Sequence, residues 1–422
     1  MNEEFLQYTW KHGLFSKEEL STSTGETIEI INAGKWNSDS GPDFFNATIK
    51  IGATLWAGNV EVHINSSDWL KHKHQNDEAY NSVILHVVYK HDTEIKLPNG
   101  TPLPTLEFVP NKRAHESYEQ LIGEPQKPAC AARLPKIDPI YVRSTIDSML
   151  VDRLKTKTGI ISQTLSSVKN SWNETFYRHL AINFGFKTNA LPFEMFARSL
   201  PLNTIAKHTK NLEQLEALFF GQSGLLNEQL LGDDYFIGLR HEYSYLANKY
   251  KLKGIESHNW KFMRLRPSNF PSIRLAQFAA LFPQSEALFS RLLEIEKPAE
   301  IRKLFKVKAS KYWDTHYRFN QPAPKKVKWI GESSLNNILI NTVVPFLYLY
   351  GERNNKPELK QRAFDLLESI PPEQNHIIRS WKLLGIAVEN AYDTQALIHL
   401  RNNFCEQKKC LRCKIGAKVI VE

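Results

Sequence analysis

Cysteine is scarce in this chain: its 422 residues contain four, Cys130, Cys405, Cys410 and Cys413. So few, in a chain long enough to bury a substantial core, exclude a small scaffold stapled by disulfides. Long apolar runs are missing too. The most apolar stretch, residues 335–350, is interrupted by Asn336, Asn337 and Asn341, so it reads as a buried helix and no membrane partner is expected. The first residues, Met1-Asn2-Glu3-Glu4, lack the basic and apolar regions of a secretion signal, and a cytoplasmic location is the expectation. An acidic excess is also lacking: 54 Lys and Arg against 45 Asp and Glu leave a formal charge of +9, which favours a polyanionic partner. With 42% apolar and 23% charged residues, the composition is that of a folded globular chain of two or three domains.

What is present is organised unevenly. Residues 3–14 read as a helix whose Glu3 and Glu4 suit its positive N-terminal end. Residues 27–31 form a short β-rich run, and 45–51 alternate polar with apolar as a strand with one buried face does. Gly52-Ala53-Thr54 turns that strand back into a second, 56–64, making a hairpin. Ser66 or Ser67 can cap a helix over 68–80, and Val83–Tyr89 is apolar enough for a central strand. Six prolines between 98 and 128 then mark a loop and extended crossover, after which helix-period patterns dominate. The expected fold is an α/β N-terminal domain, residues 1–125, with a mixed sheet flanked by helices. A mainly α-helical domain, 126–422, follows.

Within the second strand of the hairpin, Val60, Val62 and Ile64 face one way and Asn59, Glu61 and His63 the other. Asp43 opens the neighbouring strand, so its carboxylate can approach Glu61. Two carboxylates together with phosphate oxygens form a hard-oxygen site for Mg²⁺ or Mn²⁺. A bare turn and an exposed strand glutamate are the bland alternative for Gly41-Pro42-Asp43-Phe44 and Glu61.

Pro42-Asp43 followed by Glu61-Val62-His63, in that order of elements, resembles the catalytic core of the PD-(D/E)XK nuclease superfamily. The resemblance implies a restriction-endonuclease-like sheet and metal-dependent hydrolysis of DNA or RNA, with Asp43 and Glu61 as metal ligands. His63 stands where that family carries lysine, as base, as ligand, or as the mark of a site that binds without cutting. Glu3 or Glu4 would supply the additional carboxylate that many members carry on the first helix. Over its full length the chain also resembles a bacterial family, the domain of unknown function 2851 group. The matching stretches include Gly41–Ala47, Trp56–His63, Val83–Tyr89, Arg264–Pro271 and Cys410–Gly416.

Two further clusters carry chemistry. His72, His74 and Asp77 lie on the expected 68–80 helix, where His74 and Asp77 share a face and His72 and His74 do not. With His63 they outline a metal hydrolase of another class, against the plainer reading of solvated histidines. His86, in the apolar strand, reads as a satisfied core histidine. Cys405, Cys410 and Cys413 form C-x4-C-x2-C, and with distant Cys130 they match the four thiolates of an iron–sulfur cluster or structural zinc. Some nucleases of the superfamily hold a [4Fe-4S] cluster with one distant and three C-terminal cysteines, which the resemblance extends to this set.

The basic stretch 302–328 includes Lys306, Lys308, Lys311, Arg318, Lys325 and Lys326, interleaved with aromatics, and ends at Pro322 and Pro324 as an expected linker. Those cations are the expected nucleic-acid contacts, while its aromatics read better as core. Arg264, Arg266 and Arg274 flank Pro267-Ser268-Asn269-Phe270-Pro271, a phosphate-binding loop or a helix-capping segment. A nucleic-acid-binding protein that has lost cleavage is the rival to the nuclease.

Overall fold

In the computed structural model the described residues are all but 17, 38, 227–231, 285–286 and 422. An amphipathic helix, α1 (Glu3–His12), precedes strands β1 (Ile28–Asn32), β2 (Lys35–Trp36), β3 (Phe44–Ile51) and β4 (Thr54–Asn65). Asn2 caps α1 by accepting from the Phe5 N–H, and Gly13 ends it in the left-handed conformation. A single helical turn, α2 (Asp68–Lys71), and two 3₁₀ turns lead to β5 (Val83–Lys90) and β6 (Thr105–Glu107). The sheet order is β1-β3-β4-β5-β6, with β2 also on β3. The pairs β1–β3 and β3–β4 are antiparallel, and β4–β5 and β5–β6 are parallel.

One face of this mixed sheet packs Phe44, Ile49, Val60, Val62, Leu85 and Val87 against Leu6 and Trp10 of α1. Each such aliphatic, fully buried, contributes about 1.5–3 kcal/mol. Where β4 meets β5 the backbones approach closely at Gly58: a Cβ there would lie 2.3 Å from Ile84 Cγ2 and 2.7 Å from the Ser82 carbonyl. Parallel pairing at this register therefore requires glycine.

The chain divides into two compact units: Met1–Asp147 with Leu383–Ile386 and Ile398–Glu422, and Ser148–Lys382 with Ala387–Leu397. The division differs from the expected boundary at 125, because the C-terminal segment returns to the first unit. Its Leu411, Val419 and Ile420 share an apolar cluster with Phe5, Tyr8, Ala114 and Tyr118.

Three local expectations are corrected. The helix over 68–80 is broken: α2 stops at Lys71, Lys73 adopts φ +63°, and 3₁₀ turns His74–Asn76 and Glu78–Ser82 follow. The proline-marked segment holds β6 and a further helix, α3 (Lys112–Gly123), whose cap Asn111 accepts from the Arg113 and Ala114 N–H groups. The residues that end the stretch 302–328, around Pro322 and Pro324, are no linker. The stretch folds inside the second unit, with a small hairpin (His316–Arg318 with Gln321–Pro322) and backbone bonds Ala309 N to Lys328 O and Ile330 N to Val307 O. That second unit is otherwise helical, including α4 (Pro139–Ser167) from Ser148 onward, α5 (Trp172–Phe184) and α6 (Phe186–Ser199).

Candidate metal centre

The Gly-Pro-Asp turn is built to aim Asp43. Gly41 takes φ +94°, and Asn37 Nδ2 donates to the carbonyls of Asp39, Ser40 and Pro42, each at 3.1 Å. A bulge follows, in which Phe44 pairs with Val60 but Ala47 with Gly58, and the extra residue Asn46 adopts φ +57°. The bulge brings the start of β3 alongside Glu61. Each carboxylate then bonds the backbone of the other strand: Asp43 N donates to Glu61 Oε2 and Val62 N to Asp43 Oδ2, both at 3.0 Å. Gln7 of α1 donates to Asp43 Oδ1 at 2.8 Å. Glu3 is also directed here, since its carboxyl senses His72 and His74, whereas Glu4 pairs with Arg412 at 2.9 Å.

Around Glu61 stand four histidines. Glu61 Oε1 is 3.3 Å from His74 Nε2 and 3.6 Å from His63 Nε2. His63 Nε2 lies 3.0 Å from His72 Nδ1, and His63 Nδ1 lies 2.9 Å from His86 Nε2. The ligand nitrogens of His63, His72 and His74 all fall within 4.8 Å of one another. A regular helix could not do this, because residues two apart point away from each other. Left-handed Lys73 between the two histidines reverses the chain and turns both inward. Asp77 does not join them: it caps the following turn by accepting from the Ala79 N–H.

The surrounding residues fix these rings. Tyr80 stacks on His74 with centroids 3.8 Å apart, and fully buried Trp69 packs against His74, Tyr80 and His86. Ser66 and Ser67 grip Asp92 at the end of β5, which anchors α2 to the sheet. Asn37, Gln7, Trp69, Tyr80 and Lys73 are contributions that the sequence reading did not single out. The Ser-Asp-Trp and Asp-x-x-Tyr flanks of the histidine pair were the available signal.

The electrostatics are those of acids and imidazoles that burial holds in their neutral forms. Burial pushes the carboxyls of Asp43 and Glu61 well above the ordinary carboxylate range, and for Asp43 the neighbouring Glu61 adds to this. Glu3 is raised for the same first reason. His63 is buried completely and is held far below its usual pKa by burial, then by His86, His74 and His72. His86 and His74 are lowered, again chiefly by burial. Neutral imidazoles already hold a lone pair for an ion, and the protonated carboxyls can offer theirs on losing their protons. His74 Nε2, buried and without a hydrogen-bond partner, is the orphan such an ion would satisfy. The separations of 3.0 and 3.3 Å fall within the roughly 2.9–3.4 Å between donors sharing one ion at bonds near 2.1 Å, and that of 3.6 Å lies just beyond it. Access is from the side of His72, which is exposed, and of half-buried Asp43 and Glu3.

Asp43, Glu61 and His63 are thus brought together, and His86, expected as a satisfied core residue, is buried but reaches His63 as a supporting partner. His63 does not reproduce a lysine: both its nitrogens are engaged and its pKa is far below neutrality, so it brings no fixed positive charge.

The four cysteines belong to the first unit. Burial raises every thiol, Cys130 to about 12 and Cys410 to about 11, and the next causes for Cys130 are Cys413 and Cys410. Cys405 senses all three others. Cys130 and Cys410 pack on the same apolar cluster, and the N–H groups of Ile415 and Gly416 point to the Cys413 sulfur. Among the described residues no three of the sulfurs lie within 4.8 Å of one another.

Of the expected nucleic-acid contacts, Lys306, Lys308, Lys311, Arg318, Lys325 and Lys326 are all exposed, in the second unit. Lys306 pairs with Glu332 at 3.6 Å and Lys308 lies 5.6 Å above the exposed Trp329 ring. Phe305 and Trp313 are core residues, whereas Lys328 is buried with its Nζ on the Asp314 and Lys326 carbonyls.

Among the described residues no helix is long and apolar enough to cross a membrane. The family model described as protein of unknown function (DUF2851) matches residues 3–376. No curated protein and no solved structure matches the chain.

Proposed function

We propose that this chain, which belongs to the DUF2851 family, is a metal-dependent nuclease that hydrolyses phosphodiester bonds of DNA or RNA. The observation that carries this reading is the meeting of Asp43 and Glu61 across β3 and β4, with His74 Nε2, which makes no hydrogen bond, 3.3 Å from Glu61 Oε1. The order of α1, an antiparallel β-meander, a short helical segment and a parallel strand supports a restriction-endonuclease-like core. Asp43, Glu61 and His74 would hold a divalent ion, with His63 and His72 completing the donor set and Glu3 nearby. So many imidazoles favour a first-row transition ion such as Mn²⁺ or Zn²⁺ over Mg²⁺. A bound divalent ion would neutralise phosphate charge and acidify water at the scissile bond. Gln7 and the Val62 N–H orient Asp43, the Asp43 N–H orients Glu61, and His86 holds His63 in one tautomer.

The test is incubation of the purified protein with single- and double-stranded DNA and RNA after chelation, adding Mn²⁺, Zn²⁺ or Mg²⁺ singly. Ion-dependent cleavage is expected. Salt-sensitive binding with no cleavage under any ion would select the non-catalytic rival, which the absence of a fixed cation at His63 favours.

We also propose that the cysteines hold a polynuclear iron–sulfur cluster. A single zinc draws its four sulfurs to edges of about 3.8 Å. Thiols that sense one another, with no three of their sulfurs within 4.8 Å of one another among the described residues, leave room for a cluster core.

Ion binding at the carboxylates should depend on pH with a definite sign. The carboxyls of Asp43 and Glu61 are raised in the folded protein, with Glu3 adding to the Asp43 shift and His74 facing both. Without an ion, the folded state therefore holds more protons than the unfolded state above the ordinary carboxylate range, and stability declines as pH rises through that window. Binding of the ion reverses the trend by expelling those protons. Calorimetry in buffers of different ionisation heat should show one to two protons, roughly, released per Mn²⁺ near neutrality, and affinity rising with pH. Release of none would mean the carboxyls are already ionised or are not ligands.

The ring that packs on His74 offers a separate check. Tyr80→Ala removes the stacking partner without touching a ligand, and Mn²⁺ affinity should fall about 10- to 100-fold while Tyr80→Phe retains it. Equal affinity in all three proteins would remove Tyr80 from the centre.

A further inference from the structure

Every residue of the helix Pro271–Ala279 is buried, including Arg274, which is 4% exposed. Its guanidinium donates from Nη1 to Gln277 Oε1 at 2.9 Å and from Nη2 to Asn269 Oδ1 at 2.6 Å and Ser334 Oγ at 2.7 Å. Its Cζ lies 4.7 Å from the centre of the Phe186 ring. Its Nε is buried with no partner. Each of these neighbours is neutral. Among the described residues no carboxylate pairs with Arg274, and burial is the cause that lowers its pKa, to about 10, so the group stays charged at neutrality. A buried guanidinium without a counter-charge is costly, and such groups are found where an anion completes them.

Arg274 lines a cavity of about 300 Å³ together with Lys187, Thr188, Asn269, Ser333 and Ser334. Lys187 is exposed and forms no ion pair among the described residues. Three hydroxyls able to donate surround the two cations. A carboxylate offers these donors two oxygens in one plane. Nη2 spends both its hydrogens on Asn269 and Ser334, so a tetrahedral oxyanion, with oxygens in several directions, has the Nε–H, the second Nη1 hydrogen, the hydroxyls and the ammonium to draw on.

We infer that this cavity in the second unit is a phosphate-binding site, with Arg274 as its buried counter-charge and Lys187, Ser333, Ser334 and Thr188 around the phosphoryl oxygens. Inorganic phosphate and the terminal phosphate of a nucleic acid share this chemistry. The site is separate from the carboxylate centre and does not depend on the cleavage reading.

The test uses the full chain with divalent ions chelated, followed by thermal unfolding and calorimetry with inorganic phosphate against chloride at matched ionic strength. Phosphate at millimolar concentration should raise the unfolding midpoint. Lys187→Ala, an exposed change, should weaken phosphate binding about tenfold. Ser334→Asp places a carboxylate beside Arg274, so it should raise the midpoint without phosphate and abolish the response to it. Competition by a 5′-phosphorylated oligonucleotide, but not by its 5′-hydroxyl twin, would assign the site to nucleic-acid ends; binding of inorganic phosphate alone would assign it to the free ion. No response in the unaltered protein, or an undiminished response in both variants, would overturn the inference.

Discussion

Glu61→Gln is expected to reduce ion-dependent cleavage by about a thousandfold or more while leaving the fold intact. The substitution keeps the shape of the side chain, and its amide oxygen can still accept from the Asp43 N–H, now at 3.0 Å from Glu61 Oε2. What disappears is the negative charge that faces His63 and His74. Because Glu61 is among the groups that raise the Asp43 carboxyl, the variant without metal should be as stable as the parent or more so near neutrality. Added Mn²⁺ should then separate the two proteins. At a hundredfold excess over its Kd the ion stabilises the parent by about 2.7 kcal/mol and should stabilise the variant far less. Asp43→Asn should behave alike in cleavage. Loss of activity accompanied by loss of fold in both variants would say only that the pair is structural; full activity in either would remove that residue from the chemistry.

How far this centre was legible depends on the kind of backbone that carries each residue. In β3 and β4 the two-residue alternation is enough to place Glu61 with His63 and to set Asp43 beside them, since a hairpin leaves few registers. The bulge at Asn46 adjusts that register without changing which residues meet. The histidine pair was not legible, because convergence of His72 and His74 depends on one lysine in a left-handed conformation that nothing in its residue type announces. Alternation placed Glu61 and His63 opposite Val60 and Val62 without foretelling their burial: they are 5% and 0% exposed, as Trp69 and Tyr80 close over that side of the sheet. In the 98–128 segment, proline punctuation hid α3, whose start is written in Asn111 and whose apolar face, Ala114, Tyr118 and Leu121, has the helical period. The return of residues 398–422 to the first unit was legible only through chemistry. Cys130 needed partners, and the remaining three cysteines were all near the C-terminus.

That return makes Cys130→Ala the second decisive substitution. Anaerobically purified parent protein should carry about four iron and four sulfide per chain, with broad visible absorption, and the variant should lose most of both. Cluster binding contributes to folding, so the variant's unfolding midpoint should fall by about 10 °C or more, whereas deleting one ordinary buried thiol should cost only a few degrees. The variant should nevertheless fold. Leu411, Val419 and Ile420 still bury against Phe5 and Tyr8, and Lys127–Glu406, Arg412–Glu4 and Lys414–Ser144 still tie the C-terminal segment in place. Surface pairs of that kind contribute about 1 kcal/mol or less each, too little to mask loss of a cluster. Colourless protein containing one zinc per chain that Cys130→Ala removes would replace the cluster with a single ion and require the sulfurs to close to about 3.8 Å. Iron retained in full by Cys130→Ala would exclude that cysteine and leave the C-terminal trio to bind with a fourth ligand from elsewhere.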